Sequence, residues 1–200
     1  YFKLPYWYNI ISLLLALTSE IVITQRRSKE EKLKNTAQNL KRLSDSFSIF
    51  VYSNQDNSIQ SIFEALLANN VFTNAYGKGI KGWGLYLKEV TKHLFDDYNE
   101  FNSDLERYIE NPRGELSDII RRFGKLVGYH YKLHQNFLEI IKDTGILPKE
   151  LGQKYNEFKK EYDDFYSNLR GYTSDFEEIA PNVFTGKYFF KRAKELPNVV

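Results

Sequence analysis

The clearest pattern in the sequence is a seven-residue repeat of large apolar side chains over residues 155–179. The spacing alternates between three and four residues, at Tyr155, Phe158, Tyr162, Phe165, Leu169, Tyr172, Phe176 and Ile179. This period predicts a helix that lays one narrow apolar stripe against a partner helix. A long helix with so narrow a stripe is not stable alone, so it requires other long helices from its own chain or from a second copy.

Similar stripes recur along the chain and predict an all-α fold. We expect arm helices over about 6–52 with 58–76, over 83–143 and over 148–180, and a short C-terminal helix over about 184–195. The motif Asn111-Pro112-Arg113-Gly114 is expected to kink or briefly break the arm over 83–143, because proline removes a backbone donor and crowds the preceding turn. The prediction is a single domain over 1–200, built as an elongated, antiparallel bundle of three long helices.

The most apolar window, residues 4–24, has two interpretations. It is long enough to span a membrane, with aromatic residues at one end and Arg26 and Arg27 at the other. Glu20 counts against this, since a carboxylate within a bilayer is costly. The alternative is a helix buried on several faces inside a bundle or dimer. A cleaved signal peptide is disfavoured, because the basic residues follow the apolar run.

Composition narrows the function classes without selecting one. The 200 residues carry a formal net charge of +2, which does not by itself indicate a nucleic-acid partner, and 42% are apolar, enough for a substantial core. The absence of cysteine excludes disulfides and thiol catalysis and fits a reducing cytosol. Since the sequence also lacks methionine, we expect it to be one domain of a larger protein.

Three stretches, in this order and spacing, resemble the BAR domain of the amphiphysin family, including its fungal members. They are His93-Leu94-Phe95-Asp96-Asp97-Tyr98, Arg121-Arg122-Phe123-Gly124-Lys125-Leu126-Val127-Gly128-Tyr129, and the run from Phe165 to Pro181. The resemblance covers about Trp83 to Tyr188. The sequence departs from the family pattern at Gly128 and His130, where the family often has Asp.

The resemblance implies a crescent-shaped dimer that binds curved, anionic membrane, with partners in endocytosis and the actin cytoskeleton. A fungal cell-fusion scaffold is one protein that carries such a domain. In this fold the apolar window lies at the dimer centre, which assigns the following residues to the dimer interface: Trp7, Ile11, Leu14, Leu15 and Ile21. The partner is a second copy or another amphiphysin-type protein.

Clusters of basic residues are the candidate lipid-binding site. One strip lies within a few turns of one helix, and a second group flanks the following turn: Arg121, Arg122, Lys125 and Lys132, then Lys142, Lys149 and Lys154. A basic side chain near an anionic bilayer contributes on the order of 1 kcal/mol, so the doubled patches of a dimer would bind where a monomer binds poorly. The alternative is that these are ordinary solvated helix charges.

No catalytic chemistry is apparent in the sequence. His130 and His134 are four residues apart, a spacing that can bind a metal, but they fall at stripe positions where histidines that pack are an equal explanation. No Ser–His–Asp arrangement or phosphate-binding loop is present, so we expect no enzyme, cofactor, metal or small-molecule substrate.

The first hypothesis is therefore a cytoplasmic, peripheral membrane protein that senses curvature as a BAR-type homodimer or heterodimer. Two alternatives stay open: a membrane-anchored bundle whose transmembrane helix is 4–24, and a helical protein-interaction module without lipid affinity.

Overall fold

The computed structural model describes residues 6–52, 92–144 and 149–184, with side chains described at 8, 11–52, 92–131 and 156–184. Four helices account for most of these residues: α1 (Tyr6–Val51), α2 (92–110), α3 (Leu116–Thr144) and α4 (Lys149–Ile179). No strand occurs among them. The predicted all-α class is confirmed for this part of the chain. The predicted helices over 58–76 and 184–195 lie outside the described residues, save for residue 184.

The second half of α1 forms an up-and-down bundle with the other three helices. Lys41 reaches Glu106 on α2, while the ring of Phe50 lies 5.7 Å from that of Phe158 on α4. Near the opposite end of the bundle, Lys32 pairs with Glu178. These contacts place α1 antiparallel to both α2 and α4, so that α1 and α3 run in one direction and α2 and α4 in the other.

The core consists of the apolar stripes that the sequence predicts. Large apolar side chains recur every three or four residues, so they lie on one face of each helix. That face is buried against the other helices. The buried stripe residues are Ala37, Leu40, Leu43, Phe47 and Phe50 on α1; Leu94, Tyr98, Phe101 and Leu105 on α2; Leu116, Ile120, Phe123 and Val127 on α3; and Phe158, Tyr162, Phe165, Leu169 and Phe176 on α4. The stripe predictions for these positions are confirmed.

The chain reverses direction between α2 and α3. The sequence predicts one arm helix over 83–143, kinked or briefly broken near Pro112, but the structure ends α2 at 110 and folds α3 back beside it. Gly114 has a φ of 108°, a backbone conformation open to glycine because it has no Cβ. The rings of Phe101 and Phe123 then stack across the hairpin with centroids 5.2 Å apart. A four-helix arrangement thus replaces the three arms in this region.

A short segment after α4 closes one end of the bundle. The carboxylate of Glu177 accepts hydrogen bonds from the backbone N–H groups of Asn182 and Phe184, each at 2.8 Å. Asn182 adopts a φ of 65°, which turns the chain back on the helix. Phe184 is fully buried as a result, next to Phe176 and α3.

Candidate functional site

The first half of α1 extends beyond the bundle as a helix with apolar side chains open to solvent. Nine large apolar residues there are between 45% and 62% exposed: Tyr8, Ile11, Leu13, Leu14, Leu15, Leu17, Ile21, Val22 and Ile23. Single exposed apolar residues are common on proteins, but a contiguous set of this size marks a contact surface. Four predicted interface residues belong to it: Ile11, Leu14, Leu15 and Ile21. The side chain of Trp7 lies outside the described residues.

One side of this exposed segment continues the buried face of the same helix. The residues on this side are spaced alternately by three and four positions, and we call them the assembly seam: Ile11, Leu14, Thr18 and Ile21. At 3.6 residues per turn, the seam projects on the same side of α1 as Leu40, Leu43 and Phe47, the centre of the bundle core. Tyr8, Leu15 and Val22 flank the seam. Within the part of the chain that the structure describes, the bundle core therefore has an apolar extension along α1 that no other element covers.

The hydroxyl groups in this segment bond to their own helix. Ser12 donates to the carbonyl of Tyr8 at 2.9 Å, Ser19 to that of Leu15 at 2.6 Å, and Thr24 to that of Glu20 at 2.8 Å. Thr18 donates to the carbonyls of residues 14 and 15, both at 3.0 Å. Since these donors are already satisfied, burying them costs little. Over 11–24, Glu20 is the sole charged residue, and it projects away from the seam.

A band of charge separates the exposed segment from the bundle. It contains Arg26, Arg27, Lys29, Glu30, Glu31, Lys32 and Lys34. Beside it, a groove of about 700 Å³ lies between α1 and the turn after α2, with Tyr108, Ile109 and Pro112 on its apolar side. Two basic and two acidic side chains line this groove, so its lining gives no preference for a ligand of one charge.

The predicted basic strip lies on the outward face of α3, but acidic residues neutralise much of it. Arg121 pairs with Asp118 at 3.2 Å, and Arg122 pairs across the hairpin with Asp104 at 2.6 Å and Glu100 at 3.4 Å. Lys125 is exposed on the same face. The side chains of the remaining predicted lipid-binding residues lie outside the described residues: Lys132, Lys142, Lys149 and Lys154.

Next to this strip, a groove of about 460 Å³ separates α2 from α3. It is lined by His93, Asp97, Glu100, Arg122, Lys125, Leu126 and Tyr129. The sequence does not predict that the acidic residues of α2 lie beside the basic strip, because their proximity depends on the hairpin. They lower the positive potential that an anionic surface would meet at Arg122 and Lys125.

His130 is buried in the bundle core among aromatic rings. Its ring centroid lies 5.2 Å from that of Phe50 and 5.4 Å from that of Phe47, with Phe158 and Tyr162 on the other side. Burial lowers the pKa of His130 to about 3, so the ring is neutral, and neither ring nitrogen has a hydrogen-bond partner among the described residues. The described residues contain no cluster of three metal-ligating side chains, and the side chain of His134 lies outside them.

A partly exposed ion pair joins α1 and α2. Burial opposes the charge on Lys41, but hydrogen bonds to Glu106 and Asp45 outweigh it and raise the pKa of the lysine. The same contact lowers the pKa of Glu106. Because the carboxylate of Glu106 is exposed, this pair fixes the register of the two helices more than it stabilises them.

None of the helices in the described part of the chain carries a stretch apolar and long enough to cross a membrane. Comparisons of the chain with protein-family models, with curated proteins and with solved structures give no match.

Proposed function

We propose that this chain is a helical assembly module, joined to its partner through the first half of α1. The observation that carries the proposal is the assembly seam, an apolar face that continues the bundle core but has no cover within the described chain. The seam and its flanking residues expose on the order of 600 Å² per copy, and burying that area contributes about 15 kcal/mol before the costs of association. Those costs are about 4–15 kcal/mol, so two such surfaces can form a stable contact.

Paired substitutions on the two sides of α1 test this proposal. Leu14→Glu with Ile21→Glu places two charges on the seam, whereas Leu13→Glu with Ile23→Glu places them at equally exposed positions on another side of the helix. We expect analytical ultracentrifugation to show that the seam variant loses assembly and the control keeps it. The proposal is wrong if the two variants sediment alike.

A second candidate function is binding to curved, anionic membrane as a BAR-type crescent dimer. It is supported by the resemblance of three stretches to the amphiphysin family and by the common outward face of Arg121 and Lys125. The ion pairs of Arg121 and Arg122 count against strong binding by one copy, so this function depends on the doubled surface of a dimer. A heterodimer in which the partner carries part of the basic surface is compatible with the same observations.

Vesicle sedimentation tests the membrane function without disturbing the hairpin. Arg121→Glu with Lys125→Glu reverses two outward charges and leaves the Arg122 contacts with α2 in place. The matched control is Arg42→Glu with Arg113→Glu, which makes the same change in net charge at exposed positions elsewhere. We expect the first variant to lose binding to phosphatidylserine vesicles and the control to keep it. Equal binding of both variants would assign the membrane contact to another surface.

The length of a dimer, measured by small-angle scattering, tests the crescent shape. A 46-residue helix at 1.5 Å per residue is about 70 Å long, so two copies joined through α1 must exceed about 100 Å in their largest dimension. Small-angle scattering combined with a mass determination should give a dimer of that length. A dimer shorter than this would exclude both the crescent arrangement and a contact made through the first half of α1.

A further inference from the structure

We infer that the groove between α2 and α3 binds a small zwitterion, a free molecule in which an ammonium group and a phosphate are joined by a short carbon chain. The juxtaposition that supports it is an acidic wall on α2 and a basic wall on α3, on either side of a recess of about 460 Å³. The groove is built from other helices than the assembly seam, so the inference goes beyond the assembly function and does not rest on it.

The charges that line this groove are separated by helix. Asp97 and Glu100 lie on α2, whereas Arg122 and Lys125 lie on α3. The axes of packed helices are about 8–10 Å apart, so opposite charges line opposite sides of the recess. The groove beside the turn after α2 differs, because all four of its charged residues lie on α1 and its other side is apolar. The α2–α3 groove therefore favours a ligand that carries opposite charges at its two ends.

The acidic wall suits an ammonium group. Asp97 is exposed and has no ion-pair partner within the described part of the chain. Tyr129 lines the same recess with its side chain 41% exposed, and a cation is attracted to the face of an aromatic ring. Leu126, which is almost fully buried, adds apolar surface to the lining, on which the methyl groups of a quaternary ammonium can pack.

The basic wall suits a phosphate. Lys125 is exposed and makes no ion pair with any described residue. Arg122 is paired with Glu100 and Asp104, but it makes both contacts through Nη1. A guanidinium group has further N–H donors on Nε and Nη2, which can donate to an anion in the recess. Because a phosphate has several acceptor oxygens, it can accept from Lys125 and Arg122 together.

The size and the surroundings of the groove favour a free molecule over a lipid in a bilayer. Its volume lies within the range of about 300–1,000 Å³ that is usual for small-molecule sites. The α2 side carries exposed carboxylates at Asp96, Asp97 and Glu100, and these repel an anionic membrane surface. A soluble zwitterion enters the recess without bringing such a surface against them.

Titration of the 200-residue chain with phosphocholine, followed by ¹H–¹⁵N NMR spectra, tests the site. We expect the shifted amide signals to come from residues 93–100 and 122–129. Phosphocholine should bind at least tenfold more tightly than choline or inorganic phosphate alone, because only the joined molecule contacts both walls. Binding no tighter than that of inorganic phosphate would overturn the inference, since the basic wall alone would then account for it.

Substitutions on the two walls should affect the probes differently. Asp97→Asn should weaken phosphocholine binding at least fivefold without weakening that of inorganic phosphate, whereas Lys125→Gln should weaken both. The matched controls are Asp164→Asn and Lys160→Gln, which make the same changes at exposed positions on α4 and should alter neither affinity. If Asp97→Asn has no more effect than Asp164→Asn, the acidic wall takes no part and a zwitterionic ligand is excluded.

Phosphatidylcholine vesicles distinguish the two sources of the same chemistry, a free molecule and a lipid headgroup. We expect the chain not to sediment with these vesicles and its affinity for phosphocholine to be unchanged in their presence. Sedimentation that is abolished by both Asp97→Asn and Lys125→Gln would place a lipid headgroup in the groove, which overturns the assignment to a free ligand.

Discussion

The guanidinium group of Arg122 lies 2.6 Å from the carboxylate of Asp104 on the neighbouring helix, and this contact spans the reversal between α2 and α3. The arginine side chain is half exposed, so the ion pair itself contributes at most about 1 kcal/mol. The main consequence of the ion pair is where it places the neighbouring side chains. It brings acidic residues of α2 next to the outward basic strip of α3, which changes the surface that a membrane or partner would meet.

Substitution of Gly114 tests the reversal. Gly114→Ala should destabilise the fold by about 1–3 kcal/mol, because its φ of 108° is strained for any residue with a Cβ, although no atom lies within 4 Å of the added methyl group. Gly171→Ala is the control, since it lies within α4 with equal space around it and should stabilise by about 0.5–1 kcal/mol. The measurement is urea unfolding followed by circular dichroism.

The same experiment separates the hairpin from a continuous arm. If residues 92–144 formed one kinked helix, Gly114→Ala would remove a poor helix former and stabilise the protein as Gly171→Ala does. Stabilisation by both substitutions would therefore contradict the reversal at 111–115.

The stripes on individual helices could be predicted from the sequence, because periodicity records which side of a helix is buried. Leu40, Phe47, Phe165 and Phe176 are examples of stripe positions that the structure buries completely or almost so. The reversal near Pro112 could not be predicted in the same way. A kinked rod and a hairpin bury the same sides of α2 and α3, and only contacts distant in sequence, such as that between Phe101 and Phe123, select between them.

The candidate site was partly predictable for the same reason. The apolar window is visible in the sequence, and the resemblance to the amphiphysin family predicts that Ile11, Leu14, Leu15 and Ile21 lie at an interface. The restriction of the seam to one side of α1 required the position of the bundle core. The acidic partners of the basic strip were missed, because they come from another helix. The location of His130 inside an aromatic cluster likewise depends on α1 and α4.

Gly124 is predicted to be essential for docking of the segment after α4. A Cβ at this position would overlap Cγ1 of Val183 and lie 3.6 Å from the ring of Phe184. We expect Gly124→Ala to destabilise the protein by about 1–3 kcal/mol, although alanine normally favours a helix interior. Introducing Val183→Ala removes the overlapping atom, so Gly124→Ala should cost much less in that background. An equal cost in both backgrounds, measured by chemical unfolding, would rule out the contact.

His130 should make stability depend on pH. Its pKa is 6.5 in the unfolded chain and about 3 in the core, so between these values the unfolded state binds one more proton than the folded state. Above about pH 6.5, His130 therefore has no effect on how the free energy of unfolding changes with pH. Below pH 6.5 that free energy decreases by about 1.4 kcal/mol for each pH unit, down to about pH 3. Tyr162 beside it stays neutral throughout, because burial raises its pKa.

The variant His130→Phe isolates this effect, since the aromatic cluster of Phe47, Phe50 and Phe158 accommodates a similar ring. We expect it to lose less stability than the wild type when urea unfolding is compared at pH 7 and pH 5. His93→Gln changes an exposed histidine and should leave the wild-type difference intact. An unaltered pH dependence in His130→Phe would mean that the ring is not buried in a neutral form.

Thr18 is the polar position within the assembly seam, and replacing it should strengthen the proposed association. If the seam forms the contact, Thr18→Leu adds apolar surface near the middle of that contact. At about 0.8 kcal/mol for each additional buried CH₂ group, the dissociation constant should fall at least tenfold in a dilution series followed by sedimentation equilibrium. Ser12→Leu makes a similar chemical change on the side of α1 that faces away from the seam, where the hydroxyl also bonds within its helix, and should leave the constant unchanged. If both substitutions strengthen association equally, apolar content alone drives it, and the seam has no special role.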